Sequence, residues 1–147
     1  MDYLITITTY GTWVHGDERG SVKRKGQFVN FDSNLKKREE RSLKHPPIVF
    51  TNDQRAIVER TIREVCEYRH WELLALNVRT NHVHAVVSAG DSAEKIMNSL
   101  KSYATRRLRE AGELVEVQKI WTKHGSTRPI NGEVSLRNTI HYVLECQ

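Results

Sequence analysis

The sequence has only two cysteines, Cys66 and Cys146, too few and too far apart for a disulfide framework or a four-cysteine zinc site. No apolar run approaches the roughly 20 residues of a membrane-spanning helix. The start, Met1-Asp2-Tyr3-Leu4-Ile5-Thr6, lacks a basic segment followed by an apolar core. The expected setting is the cytoplasm, with no membrane partner. Aromatic residues are scarce, at 7%, and no stretch matches the RNP1 pattern, which counts against a sheet that stacks RNA bases on aromatic platforms. Internal repeats and low-complexity tracts are also missing. What remains is a chain of 147 residues, a length suited to one domain with its own core.

Charge is unevenly spread. The net formal charge of +5 offers a positive field to a polyanion, and its location matters more than its sum. From Trp13 to about Pro47 periodicity disappears, and Lys23, Arg24 and Lys25 gather with Lys36, Lys37, Arg38, Arg41 and Lys44. We read this stretch as a basic loop insertion within a single domain spanning 1–147, with a short ribbon near Phe28 to Phe31. Loops of this size usually carry function or are disordered; a DNA-contacting arm and a solvated insertion fit equally.

Around the insertion the pattern is regular. Tyr3 to Tyr10 alternates as a strand. Thr51-Asn52-Asp53-Gln54 has the form of a capping box, opening a helix with the stripe Ile57, Val58, Thr61, Val65 and Tyr68. Trp71 to Val78 and His82 to Ser88 read as strands joined at Arg79-Thr80-Asn81, a hairpin. Asp91 or Ser92 caps a second helix to about Ala111, with Ile96, Met97, Leu100, Tyr103, Ala104 and Ala111 on its apolar face. Its other face carries Lys95, Ser99, Ser102, Arg106 and Arg109, which suit either a phosphate backbone or plain solvent. Thr122 to Pro129, with Lys123 and Arg128, reads as a loop, and a last helix runs from about Ser135. The order predicts an α+β fold, a ferredoxin-like split βαβ arrangement with an antiparallel sheet, helices on one face and a further C-terminal helix.

Two features carry chemistry. In His82-Val83-His84 the period of two on a strand sends both imidazoles to one face and Val83, Ala85 and Val87 to a helix-packed core. Paired imidazoles form half of a divalent-metal site, although such triplets also arise by chance. In the last helix Leu136, Ile140, Val143 and Leu144 define the buried stripe, and Tyr142 falls off it, free to face a cleft. Tyr103 lies on its own helix's apolar stripe and reads as core.

Asn81-His82-Val83-His84 followed by a helix with one isolated tyrosine resembles the HUH superfamily. In particular the chain resembles the single-tyrosine transposases of bacterial insertion sequences and the REP-associated tyrosine transposases, through Thr8 to Trp13, the histidine triplet, Trp121 with Gly125 to Arg128, and Tyr142 to Glu145. The resemblance implies a Mg²⁺ or Mn²⁺ ion held by His82 and His84 against the scissile phosphate of single-stranded DNA with hairpin ends. It also implies attack by Tyr142 to give a 5′-phosphotyrosine, cytoplasmic and nucleoid-associated action, and allows a homodimer. A free phenol has a pKa of about 10, so such a nucleophile needs nearby positive charge or a base. The family's third ligand lies one helical turn past the tyrosine, where this chain has Cys146; oxygen donors suit Mg²⁺ better, which points to Gln147, with Glu145 as substitute. Lys23, Arg24, Lys25, Lys95, Arg106, Arg109, Lys123 and Arg128 are the expected DNA contacts. The competing readings are a domesticated DNA-binding protein of the same fold that does not cleave, and a zinc hydrolase, for which no third histidine or nearby aspartate is evident.

Overall fold

The computed structural model describes residues 1–11, 21–22, 28–29 and 46–145. Strand β1 spans Asp2–Thr8; β2, Ser21–Val22, and β3, Phe28–Val29, pair as a small antiparallel ribbon, so the expected ribbon exists within the insertion. Helix α1 spans Asn52–Tyr68, β4 Glu72–Val78, β5 His82–Ser88, α2 Ala93–Glu110, β6 Ser126–Ile130 and α3 Glu133–Glu145. The capping box at Thr51 forms as expected: Gln54 N donates to Thr51 Oγ1, and Thr51 N donates to Gln54 Oε1.

The main sheet has the order β4-β5-β1-β6 with every pair antiparallel. Strands β1 and β4 therefore run the same way with β5 inserted between them, which is the split βαβ arrangement expected. The hairpin closes at Arg79, whose N–H donates to His82 O at 2.8 Å. One segment differs from expectation. Thr122 to Pro129 is not all loop, because Ser126–Ile130 pairs along β1 as an edge strand. It has no apolar alternation, buries only Ile130, and contains Pro129, which an edge tolerates.

Each face of the sheet has its own core. On one face Ile5, Ile7, Val83, Ala85 and Val87 pack under α1 and α2, against Val58, Ile62, Ile96, Leu100 and Leu108. On the other, Leu4, Ala75, Val86 and Ile130 receive Val143 of α3, which lies across β4 and β5. Several stripe assignments shift by a position. Tyr68 is 73% exposed while Ile62 and Cys66 are buried; Ala111 caps α2 in solvent and Leu108 takes the inner position. In α3, Leu144 is 51% exposed and Thr139 is buried in its place, since a helix on a four-residue apolar patch buries a narrower stripe than one in a bundle. Among the described residues, no helix is long and apolar enough to cross a membrane.

Candidate functional site

The histidine pair sits on β5 in a row of polar side chains. Antiparallel partners point to the same face, and the register places Thr8 opposite His82, Thr6 opposite His84, Asn77 opposite His84, and Ser126 opposite Thr6. Asn77, His84, Thr6 and Ser126 thus cross all four strands in line on the α3 face. Asn77 reaches this row because β4 has a bulge between Leu73 and Ala75: Leu73 packs with the α1/α2 core and both Leu74 and Ala75 with the α3 core. Bulges re-aim side chains in this way.

Both imidazoles are oriented by neighbours. His82 Nδ1 lies 2.8 Å from Asn81 Oδ1, an acceptor, so Nδ1 carries the proton and Nε2 the lone pair. His84 Nδ1 lies 2.8 Å from Thr6 Oγ1; with the proton on Nδ1, this ring also presents Nε2. Holding the second ring nitrogen fixes the direction of each ring, as at metal-bound histidines. The ring centroids are 4.9 Å apart. Burial pushes the His84 pKa down to about 4, with the adjacent His82 adding to the effect, so His84 is a neutral imidazole at physiological pH.

Tyr142 comes to this pair from α3. Its ring meets His84 edge-on, centroids 5.9 Å apart and planes at 67°, and it is 46% exposed. Tyr103, expected in the core, packs half-buried on the other core, under Arg106. Helix α3 is tied to the row by Asn77, whose Nδ2 donates to Val143 O at 2.9 Å, the carbonyl immediately after the tyrosine. Two imidazoles with oriented rings, open to a tyrosine, fit one half of a divalent-ion site. Among the described residues no third His, Cys, Asp or Glu joins them, so Glu145, exposed at the end of α3, stands apart from the pair. Gln147 lies outside the described residues.

The expected DNA contacts divide between two faces. Lys23, Arg24 and Lys25 lie outside the described residues, as does most of the proposed arm. Lys95 pairs with Asp91 at 3.2 Å. Arg106 lies 3.8 Å from Glu110, and Arg109 donates to Val117 O at 2.9 Å; both line a concavity on the flank of α2 with Lys101 and Thr105, behind the sheet from the histidines. Lys123 is exposed beyond the Trp121 bridge. Arg128, opposite Leu4 in register, is on the histidine face. Sequence reasoning missed Thr6 and Asn77. No local signal marks either, because their roles come from cross-strand register.

Comparison with known proteins bears on the family and the fold. Residues 43–145 match the sequence model of the family described as "Transposase IS200 like". No curated protein matches significantly. Among solved structures, a REP-associated tyrosine transposase bound to a REP hairpin superposes with a TM-score of 0.54 at 14% identity, over 97% of this chain and 63% of that one. This chain therefore spans less than two thirds of that protein. A Deinococcus radiodurans R1 protein assigned as a transposase superposes with a TM-score of 0.55 at 14% identity, over 100% of this chain and 90% of that one. At such identity the likeness concerns the fold, and the family follows from the sequence match over more than half the chain: this protein belongs to the IS200-like transposases.

Proposed function

We propose that this transposase nicks and rejoins single-stranded DNA through a covalent link to Tyr142. The observation that carries the reading is the contact of Tyr142 with His84, on a face where His82 and His84 stand side by side. His82 and His84 are the residues that would hold Mg²⁺ or Mn²⁺, with Gln147 as the nearby oxygen donor in sequence. When bound, such an ion supplies a Lewis acid toward phosphate oxygens.

The chain's own residues do the rest. Asn81 and Thr6 hold the Nδ1 side of each imidazole, leaving the Nε2 side to face outward, and Asn77 holds α3 so that Tyr142 stays beside His84. Tyr142 Oη forms a bond to phosphorus as the bond from phosphorus to the 3′ oxygen breaks. The phenol proton is balanced by the one the leaving 3′ oxygen gains. The product is a 5′-phosphotyrosine and a free 3′-OH, which can reverse the reaction at another strand end. The phosphodiester energy is conserved in the link, so no nucleotide cofactor is called for. That a structural relative is bound to a REP hairpin supports a hairpin-ended DNA partner for this chain as well.

The test is incubation with labelled single strands from the flanking genomic DNA, in Mn²⁺ or EDTA, followed by denaturing electrophoresis. The expected result is a metal-dependent covalent adduct that is lost in Tyr142→Phe and in His82→Ala. Tight binding to those strands with no adduct under any condition would replace this reading with that of a DNA-binding protein that does not cleave.

A further inference from the structure

A polar groove lies on the histidine face between β6 and the first half of α3, with a volume of about 330 Å³, and Arg128, Asn131, Ser135 and Asn138 are among its lining residues. The lining contains no carboxylate. Arg128 is exposed and makes no ion pair among the described residues. The arginines behind the sheet differ in this respect, with Arg106 near Glu110 and Arg109 hydrogen-bonded to the Val117 carbonyl.

The groove points at the reactive centre. Ser135, Asn138 and Tyr142 are spaced by three and four residues, so they share one face of α3, flanking the stripe of Thr139 and Val143 that packs on the sheet. From Ser135 to Tyr142 the helix rises about 10 Å. Across the sheet, β6 and β5 are separated by β1 alone, about 10 Å, and Arg128, in line with Leu4 and Val86, lies two residues along from the row of His84, a further shift of about 7 Å, so the backbones of Arg128 and His84 stand about 12 Å apart. The two walls therefore cover similar spans, which hold about three nucleotides at the 3.4 Å rise of a stacked strand. Arg128 offers a guanidinium fork for phosphate oxygens, and the hydroxyl and amides of Ser135, Asn131 and Asn138 offer neutral hydrogen bonds suited to sugar and phosphate.

We infer that the groove between β6 and α3 seats the sugar-phosphate backbone of the single strand next to the scissile phosphate, with Arg128 as its phosphate anchor. This rests on the strand-cleaving reading above, and it assigns the approach path to one side of the histidines. Contacts of this kind bind without reading sequence, so they fix the strand's position.

Fluorescence anisotropy with two labelled probes, dT12 and a flanking genomic strand, tests this in EDTA, where binding is read without chemistry. Arg128→Ala should weaken both probes about tenfold and lower the salt slope by about 0.7, the value for one lost phosphate contact on single-stranded DNA. Arg128→Lys should restore most of the salt slope, because Lys keeps the point charge. Asn138→Ala should weaken binding severalfold, and Arg63→Ala, on the exposed side of α1, should leave it unchanged. Wild-type affinity and slope in both Arg128→Ala and Asn138→Ala, with loss in Arg106→Ala or Arg109→Ala, would overturn the inference and place the strand behind the sheet; the Tyr142 adduct would still form, so the strand-cleaving reading would survive. Failure of the wild-type protein to bind either probe would overturn both.

Discussion

Asn77→Ala separates the placing of Tyr142 from the stability of the fold. The side chain lost is small, and its one described bond is the 2.9 Å contact from Nδ2 to Val143 O. An intramolecular hydrogen bond of this kind contributes about 1 kcal/mol net, so the melting temperature should fall by about 2–4 °C. The effect on chemistry should be larger. Among its residues helix α3 buries only Thr139 and Val143, so little packing opposes a shift of its last turn once the bond is gone. A misplacement of 1 Å at a reacting group costs about 10²-fold in rate, equivalent to about 2.7 kcal/mol. Single-turnover adduct formation with the strand that wild type captures, measured alongside thermal unfolding, gives both quantities. The rate should fall by one to two orders of magnitude at temperatures where the variant is fully folded, with strand affinity held. Full-speed adduct formation in a variant that has lost the expected few degrees would refute the argument that this bond sets the position of Tyr142.

Three further outcomes follow from other parts of the structure. A Cβ on Gly125 would lie 2.6 Å from both Met97 Sδ and Thr6 O; the thioether can swing away but the carbonyl of β1 cannot. Gly125→Ala should therefore cost about 1–3 kcal/mol, read by chemical denaturation, and adding Met97→Ala should fail to restore it. Thr6→Val removes the hydroxyl beside His84 Nδ1 and should weaken Mn²⁺ binding by about 10–100-fold in calorimetry, with a folded circular dichroism spectrum; unchanged affinity would deny Thr6 its orienting role. Burial pushes the Cys66 thiol up to about 11, so in a Cys146→Ser background Cys66 should resist iodoacetamide at pH 8 and react only when denaturant exposes it, as mass spectrometry would show.

The central elements were legible because their signals are local. The capping box at Thr51, the alternation of β1 and β5, and the hairpin at Arg79 to Asn81 each depend on residues a few positions apart. Strand β6 was not legible, since Ser-Thr-Arg-Pro-Ile has neither alternation nor β-rich composition. Its pairing comes from β1, on one side only. The misplaced stripe residues Tyr68, Ala111 and Leu144 share a cause: periodicity names a helix face to within one position, and the neighbouring element decides which residue at the margin is covered.

The site divides in the same way. The pairing of His82 with His84 and the position of Tyr142 off the buried stripe of α3 follow from the strand and helix periods, and both were readable. Asn77 was not. Counting by twos from Leu73, which faces the α1/α2 core, puts Asn77 on that same face, away from the histidines. The bulge between Leu73 and Ala75 reverses the count, because one extra residue flips every later side chain of a strand. A strand without that bulge would still bring His82, His84 and Tyr142 together by their own periods, but it would bury the Asn77 amide under α1 and α2 and leave the tyrosine helix without its tie. The irregularity that hid Asn77 in the sequence is thus the feature that delivers it to the site.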